Sequence, residues 1–292
     1  MKLSDFFQDK LLKKDADVLL THYADQPIDG IACFCLTENF VLKANLNPCV
    51  KAVITFEQFA HLVDEEKGLV ISNNPKKDYY LLHNFMYENG FMNIIETPFI
   101  DSSAQISSNA VIDKSVIIEK NVIIDDFAVI KSGSFIKENT YVGPHAVIGA
   151  RGMHNTKIDG HFMHVHDAGG VEIGKNCEVL AGAVIQKSYH KEMTTVGDET
   201  KVSVKVNIGH GTKVGERTLI AGNTQISGYV TIGNDVWIGP SCTISHNIKI
   251  SNNAEVKIGS VVVKSIKEAS VVSGNFAYNH TKHLKNYMKA QR

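Results

Sequence analysis

The sequence predicts a mainly β protein: a parallel β-solenoid preceded by a small α/β domain and followed by a short helix. Three observations support this prediction. A six-residue period of Ile and Val fills most of residues 98–267. Residues 1–97 lack that period and alternate strand-like with helix-like runs. The period is interrupted twice, at residues 151–170 and 187–194, where we expect loops that leave the repeating structure.

The six-residue period indicates three short strands per coil. Counting in sixes from Ile100 gives Ile or Val at every step to Ile148, and again from Val196 to Val262. A shorter run keeps the spacing one step out of phase, namely Ile173, Val179 and Ile185. A strict six fits neither the helical period of 3.6 nor the strand period of two. A corner after every six residues would instead stack each aliphatic side chain on its counterpart one coil away.

The segments that flank the solenoid are predicted from local pattern. In front of it, IACFCL, KAVITF and GLVISN are typical of strands, whereas FEQFAHLVDEE and DYYLLHNFMYENG are typical of helices. Their alternation predicts a small α/β domain over residues 1–97. Residues 268–292 are predicted to be a tail with one helix, which Asn279 would cap.

Composition excludes several classes of protein. The 292 residues contain 30 Lys+Arg and 31 Asp+Glu, a balance that argues against a basic nucleic-acid binder. No apolar run approaches the roughly 20 residues of a membrane helix, so no membrane span is expected. The 5 cysteines are scattered and lack C-x-x-C spacing, which favours a reducing compartment over a disulfide scaffold. We therefore expect a cytoplasmic protein.

Two histidines occupy the same position of the repeat. His210 follows Ile208 by two residues, and His246 follows Ile244 by two. Three six-residue steps make one coil, so Gly228 lies one coil beyond His210, at about 5 Å, and His246 lies two coils beyond it. A neutral imidazole suits proton abstraction near neutral pH. The Gly228 N–H would be available to an oxyanion, so the pair predicts acyl transfer from a thioester, although a surface role for His210 stays open.

The segment NIGHGTKVGERTLIAGNTQISGYVTIG resembles the hexapeptide-repeat acyltransferases, in particular the UDP-3-O-acylglucosamine N-acyltransferases of lipid A synthesis. The resemblance extends along nearly the whole chain and implies a left-handed parallel β-helix. It implies that His210 is the general base and that Gly228 donates to the oxyanion. GARG, a polar loop and then GGVEIG resemble the family's insertion between coils. The resemblance also implies a homotrimer with clefts between chains.

The N-terminal segment GIACFCLTENFVLKANLNPCVKAVIT resembles the family's uridine-binding domain. Phe34 and Phe40 stand where the family has two aromatic residues that clamp the uracil, and core packing is the alternative for both. Thr37 replaces an Asn of the family. The family's second active-site histidine corresponds to Asn247, one residue past His246. The resemblance therefore implies that a nucleotide-linked amino sugar is the acceptor.

The donor is predicted more coarsely. The family's C-terminal tail, which engages acyl carrier protein, is longer than the tail here. This favours a short acyl group on coenzyme A and a sugar of the O-antigen type, with a 3-hydroxyacyl carrier protein and lipid A synthesis as the alternative. Lys257 and Lys264 are candidate contacts for the donor phosphates, although both are also typical of a solvated surface. No tightly bound cofactor is expected.

Two other classes of protein compete with the acyltransferase. A γ-carbonic-anhydrase-like metal enzyme would place a further His ligand at position 251, which is Ser251 here. Histidines also cluster in the first interruption: His154, His161, His164 and His166. We expect these to contact substrate or solvent, and we expect no catalytic metal. A solenoid that only serves as a scaffold is the second alternative.

Overall fold

The structure is a computed structural model that describes residues 1–7, 11–274 and 280–290. An N-terminal sheet with its helices precedes a long solenoid, and a C-terminal helix follows. None of the helices in these ranges combines the length and the apolar composition that crossing a bilayer requires.

The N-terminal part is a five-stranded sheet covered by helices. Its strands are β1 (Leu12–Lys14), β2 (Leu20–Thr21), β3 (Ile31–Cys35), β4 (Val50–Thr55) and β5 (Gly68–Ile71), in the order β1-β5-β4-β3-β2. Only β1 runs antiparallel to its neighbour. The helices are α1 (Glu38–Leu46) and α2 (Pro75–Glu88), with 3-10 helices at Leu3–Asp5 and Glu57–Leu62. The three strand-like runs thus form β3 to β5, whereas FEQFAHLVDEE forms only a 3-10 helix.

The solenoid has three all-parallel sheets, and each coil adds one strand to each sheet. Sheet A contains Phe99–Ile100, Val116–Ile118, Ser134–Ile136, Gly170–Ile173, Met193–Val196, Lys213–Val214, Thr231–Ile232 and Lys249–Ile250. Sheet B contains Gln105–Ile106, Ile123–Ile124, Tyr141–Val142, Glu178–Val179, Lys201–Val202, Leu219–Ile220, Trp237–Ile238, Glu255–Val256 and Val271–Val272. Sheet C contains Val111–Ile112, Val129–Ile130, Val147–Ala150, Val184–Gln186, Asn207–Ile208, Gln225–Ile226, Thr243–Ile244 and Val261–Val262. The predicted fold class, a parallel β-helix of hexapeptide repeats, is confirmed.

The aliphatic positions of the repeat form the solenoid core. In sheet C, Ile148 pairs with Ile185, Ile185 with Ile208, and Ile208 with Ile226, and all four side chains are buried. The out-of-phase run therefore joins the same columns, because the first interruption adds residues outside the coil. Stacked apolar side chains of this kind supply the main driving force for folding.

The first interruption differs from the predicted loop because it contains a β-hairpin. Asn155–Ile158 pairs antiparallel with His161–His164, and Gly170 already belongs to sheet A. Asp159 and Gly160 connect the two strands with φ of 50° and 84°. Two successive residues with positive φ give a turn whose twist matches that of a two-stranded hairpin. The insertion is thus residues 151–169.

Two predicted boundaries also shift. The second interruption ends at residue 192, because Met193–Val196 is a strand of sheet A. The solenoid continues past residue 267, since Val271–Val272 pairs with Glu255–Val256. The predicted boundaries came from counting aliphatic residues in sixes, whereas strand pairing depends on the backbone register. Extra residues at a corner shift one relative to the other. The C-terminal helix α3 spans His280–Ala290, and the predicted cap Asn279 lies outside the described residues.

Both insertions contact the N-terminal part of the chain. The side chain of Asn84, on α2, donates to the His164 carbonyl over 2.8 Å and accepts from the His166 N–H over 3.0 Å. The His83 ring nitrogen Nε2 lies 2.8 Å from the His166 carbonyl oxygen. In the second insertion, His190 Nδ1 lies 3.0 Å from the Thr21 carbonyl oxygen. These bonds hold α2 and β2 against the face of the solenoid from which the insertions emerge.

Candidate active site

A column of four residues follows sheet C, one residue on each of four successive coils. The strands before it are paired in register: Ile208 with Ile226, Ile226 with Ile244, and Ile244 with Val262. The column lies two residues after each of these strands, and its members are His210, Gly228, His246 and Lys264. The predicted common edge is therefore present, with about 4.8 Å between successive coils.

His210 and Gly228 are in direct contact. A Cβ at position 228 would overlap Cε1 and Nε2 of the His210 ring. Glycine is the residue that lets the imidazole lie this close to the backbone of the next coil. Within the described part of the chain, the Gly228 N–H donates to no other group. The His210 ring and the residue that carries an unoccupied backbone donor are thus neighbours on successive coils.

The His210 ring is partly exposed and packs between two other rings. The centroid of the His154 ring is 4.2 Å away, and that of Tyr229 is 5.1 Å away, both edge to face. Burial, with a smaller contribution from the neighbouring His154, lowers the pKa of His210 to about 4, and Asp167 opposes the shift. His210 is therefore neutral at neutral pH, as proton abstraction requires.

His154 reaches His210 from the first insertion. Its Nδ1 makes a hydrogen bond to Asp167, whose side chain is buried. The sequence-based prediction placed His154 against substrate or solvent, and it did not single out Asp167. The structure corrects this expectation, since the two side chains form a buried pair beside the candidate base. The contact between a solenoid ring and an insertion ring is a tertiary one, which no spacing in the sequence indicates.

A cleft of about 680 Å³ is lined by residues of the N-terminal part, the second insertion and the solenoid, and neither His210 nor Gly228 is among them. Predicted residues that line it are Phe34, Phe40, His246 and Asn247. Tyr229 lines the cleft as well, and its contact with His210 joins the cleft to the candidate base. The structure thus gathers residues of β3, α1 and the solenoid at one place, as predicted.

The two phenylalanines present different surfaces. Phe34 is half-buried and packs against Tyr79, with ring centroids 4.8 Å apart. Phe40 is exposed, and the Lys43 ammonium lies 5.6 Å from its ring centroid. Thr37 is exposed at the N-cap of α1 and is not among the residues that line the cleft. Phe40 therefore offers an open aromatic face to the cleft, whereas Thr37 does not line it.

The two candidate donor-binding lysines lie on different edges of the solenoid. Lys257 follows a strand of sheet B, and its ammonium makes an ion pair with Glu255. Lys264 follows sheet C in the His210 column and lines a cavity of about 480 Å³ near the end of the solenoid. The expectation that both meet one donor is not supported by this placement, because only Lys264 shares an edge with His210.

Three further histidines are buried where the second insertion meets the N-terminal sheet. The rings of His22 and His190 are stacked with centroids 3.8 Å apart, and His83 lies 6.4 Å from His190. Burial lowers the pKa of His22 and of His83 to about 4, and it lowers the pKa of His190 well below its usual value. All three are therefore uncharged at neutral pH. Among the described residues, no three His, Cys, Asp or Glu side chains are grouped to hold a metal ion.

Comparisons with known proteins find similar solved structures. No protein-family model matches the sequence, and no curated protein matches it. UDP-N-acetylglucosamine O-acyltransferase from Moraxella catarrhalis is 25% identical, over 65% of this chain and 76% of that chain, with a TM-score of 0.39. UDP-N-acetylglucosamine acyltransferase from Campylobacter jejuni is 18% identical, over 63% and 83%, with a TM-score of 0.46. A mutant of perosamine N-acetyltransferase from Caulobacter crescentus, in complex with CoA and GDP-perosamine, is 14% identical, over 77% and 66%, with a TM-score of 0.17. The predicted resemblance to acyltransferases is thus found among solved structures, while the fold assignment rests on the strand pairing of this chain.

Proposed function

We propose that this chain is an N-acyltransferase that moves an acyl group from a thioester to the amine of a nucleotide-linked amino sugar. One observation carries the proposal: the neutral His210 ring contacts Gly228, whose N–H has no acceptor among the described residues, and Tyr229 connects that ring to a cleft lined by aromatic side chains. A base next to an oxyanion donor, within reach of an acceptor site, is what acyl transfer requires.

The reaction follows from these two groups. His210 Nε2 accepts a proton as the sugar nitrogen attacks the thioester carbonyl and the new C–N bond forms. The carbonyl oxygen becomes an oxyanion, which the Gly228 N–H stabilises. The tetrahedral intermediate then collapses, the C–S bond breaks, and the thiolate takes the proton from the His210 imidazolium. The products are the amide and the free thiol, and His210 is neutral again.

The cleft supports a nucleotide-linked acceptor. The exposed face of Phe40 suits stacking with a nucleobase, and Lys43 beside it suits a phosphate. His246 and Asn247, which line the same cleft, offer polar groups to the sugar. The donor we propose is a short acyl-coenzyme A, with a 3-hydroxyacyl carrier protein as the alternative. Both end in a phosphopantetheine arm, for which Lys264 is the basic residue on the same edge.

Three further features belong to the same proposal. A homotrimer would close the open side of the column with a second chain, so that each cleft is lined by two chains. A cytoplasmic location fits substrates such as nucleotide-linked sugars and acyl thioesters. The role proposed is a step in the synthesis of a bacterial surface polysaccharide, with lipid A synthesis as the alternative.

A matrix of donors and acceptors tests the proposal. Short and long acyl thioesters, on coenzyme A and on carrier protein, are combined with UDP- and dTDP-linked amino sugars, and products are read by mass spectrometry. We expect one combination to give an amide, and His210→Ala to lower kcat by about 10²–10⁴-fold, the usual contribution of a general base.

The matched control is His145→Ala. His145 is an exposed solenoid histidine at a coil corner and does not line the cleft, so its replacement should leave kcat unchanged. Full activity of His210→Ala, or no amide with any pair of substrates, would contradict the proposed function. The second result would favour a scaffold instead.

A further inference from the structure

We propose that Asp167, His154 and His210 form a hydrogen-bonded relay, in which His154 and Asp167 are positioning residues that set the tautomer of His210. The kinetic part of this inference rests on the proposed function. Its geometric part does not, since it concerns which ring nitrogen of His210 carries the proton.

Two unpaired nitrogens on adjoining rings are the first observation. His154 Nε2 and His210 Nδ1 are both buried, and neither has a hydrogen-bond partner among the residues that the structure describes. The two rings lie 4.2 Å apart between centroids, at an interplanar angle of 78°. A buried polar atom without a partner is destabilising. One hydrogen bond between these two nitrogens would satisfy both.

The chemistry of the pair fixes the direction of that bond. A carboxylate only accepts hydrogen bonds, so His154 donates its Nδ1–H to Asp167. A neutral imidazole carries a single N–H, which leaves His154 Nε2 as an acceptor. In the proposed relay its partner is the Nδ1–H of His210. In that tautomer His210 Nε2 is unprotonated, and Nε2 is the nearer of the two ring nitrogens to the position that a Cβ at Gly228 would take.

His154 is held firmly enough to act in this way. Its side chain is only 10% exposed, and that of Asp167 is 3% exposed. Its carbonyl accepts hydrogen bonds from the Val165 N–H, over 2.9 Å, and from His164 Nδ1, over 3.0 Å. A Cβ at Gly152 would overlap the His154 ring, so glycine is needed there as well. The first insertion thus restrains the His154 side chain in one position.

The other ring beside His210 does not offer an equivalent acceptor. The Tyr229 hydroxyl lies 3.3 Å from Ser188 Oγ, on the second insertion. Its ring lies 5.1 Å from the imidazole between centroids, at an interplanar angle of 84°. Among the described residues in contact with His210, His154 is therefore the one that can orient it, much as a carboxylate orients the histidine of a hydrolase triad.

Steady-state kinetics of Asp167→Asn and His154→Gln are the first test. We expect each variant to lower kcat about 10²-fold, because His210 then adopts the wrong tautomer, with KM changed less than about 3-fold. The double variant should be no slower than the slower single variant, since the residues act as one unit. His161→Gln, an exposed histidine of the same hairpin, is the matched control and should match the native chain. A merely structural role would instead raise KM and lower the melting temperature.

The second test reads the tautomer directly. Nitrogen-15 spectra of the full chain labelled at histidine, with His210 assigned by its loss in His210→Gln, report which ring nitrogen is protonated. We expect Nδ1–H in the native chain and a shift to Nε2–H in Asp167→Asn. An Nε2–H tautomer in the native chain overturns the relay even if acyl transfer is confirmed. If the native chain transfers no acyl group, the proposed function fails, while the spectra still decide on the relay.

Discussion

The solenoid and its two insertions are built on opposite rules. Solenoid columns are aliphatic side chains with full burial, such as Ile136, whose neighbours one coil away are Ile118 and Ile173. The insertions, residues 151–169 and 187–192, bury histidine, aspartate and tyrosine instead.

Buried polar atoms without partners are concentrated in the second kind of region. Of the seven found among the described residues, three belong to the short insertions (His154, Thr156 and His190), two to the much longer solenoid (Ser134 and His210) and two to the N-terminal part (His22 and Tyr79). Sequences tend to break the rules of packing where function requires it. Under the proposed function, the solenoid supplies stability and the insertions supply chemistry, and His210 lies where the two meet.

The largest expected effect is on the free energy of unfolding when a side chain of a solenoid column is shortened. Ile136→Ala removes a fully buried side chain from a column and should lower the free energy of unfolding by about 2–5 kcal/mol. Below the unfolding transition, kcat and KM should stay at the native values, because residue 136 does not line the cleft. Ile136→Val is the matched control and should cost about 0.5–1.5 kcal/mol. Denaturant titrations give both numbers. A loss below 1 kcal/mol for Ile136→Ala would mean that the columns do not carry the stability.

The same division explains what the sequence predicts. The six-residue count indicated that His210, Gly228 and His246 share one edge, because in a regular solenoid sequence distance converts directly into spatial distance. It did not indicate the hairpin, although Asp159-Gly160 is a recognised hairpin signal. That dipeptide was the signal in the sequence from which the hairpin of the first insertion could have been predicted.

The contact of His154 with His210 is of another kind. It depends on how the insertion leaves the coil, and that path is set by hydrogen bonds such as those of Asn84 with His164 and His166. These bonds join residues about eighty positions apart in the chain. No local pattern encodes such a contact. The position of the first insertion in the chain was therefore predictable, whereas the contact of its His154 with His210 was not.

An intermediate effect should appear in the pH dependence of stability. The pKa of His22 is lowered to about 4 in the folded chain, mainly by burial, and an unfolded histidine titrates near 6.5. Between these values the unfolded chain binds more protons, so the free energy of unfolding falls as the pH falls from about 6.5 to 4. We expect His22 to contribute about 1–3 kcal/mol to this fall.

Denaturant titrations at pH 7.5 and pH 5 measure this contribution. His22→Gln should flatten the dependence, whereas His61→Gln, at an exposed position, should leave it as in the native chain. An unchanged slope in His22→Gln would show that the stacked pair of His22 and His190 does not sense the pH. That outcome would mean that the contact of His190, in the second insertion, with the N-terminal part does not make the folded chain sensitive to pH.

The smallest expected effect compares one substitution in both regions. Tyr229→Phe removes a hydroxyl that lies 3.3 Å from Ser188 Oγ, at the contact between the solenoid and the second insertion. Tyr141→Phe removes a hydroxyl that donates to Asp125 over 2.6 Å within the solenoid. Each should lower the free energy of unfolding by about 0.5–1.5 kcal/mol, the usual net value of one hydrogen bond. Only Tyr229 lines the cleft, so only Tyr229→Phe should also raise the KM of the acceptor, by about 2–10-fold for a lost bond of that size. Equal kinetics for the two variants would show that the second insertion stabilises the cleft without shaping it.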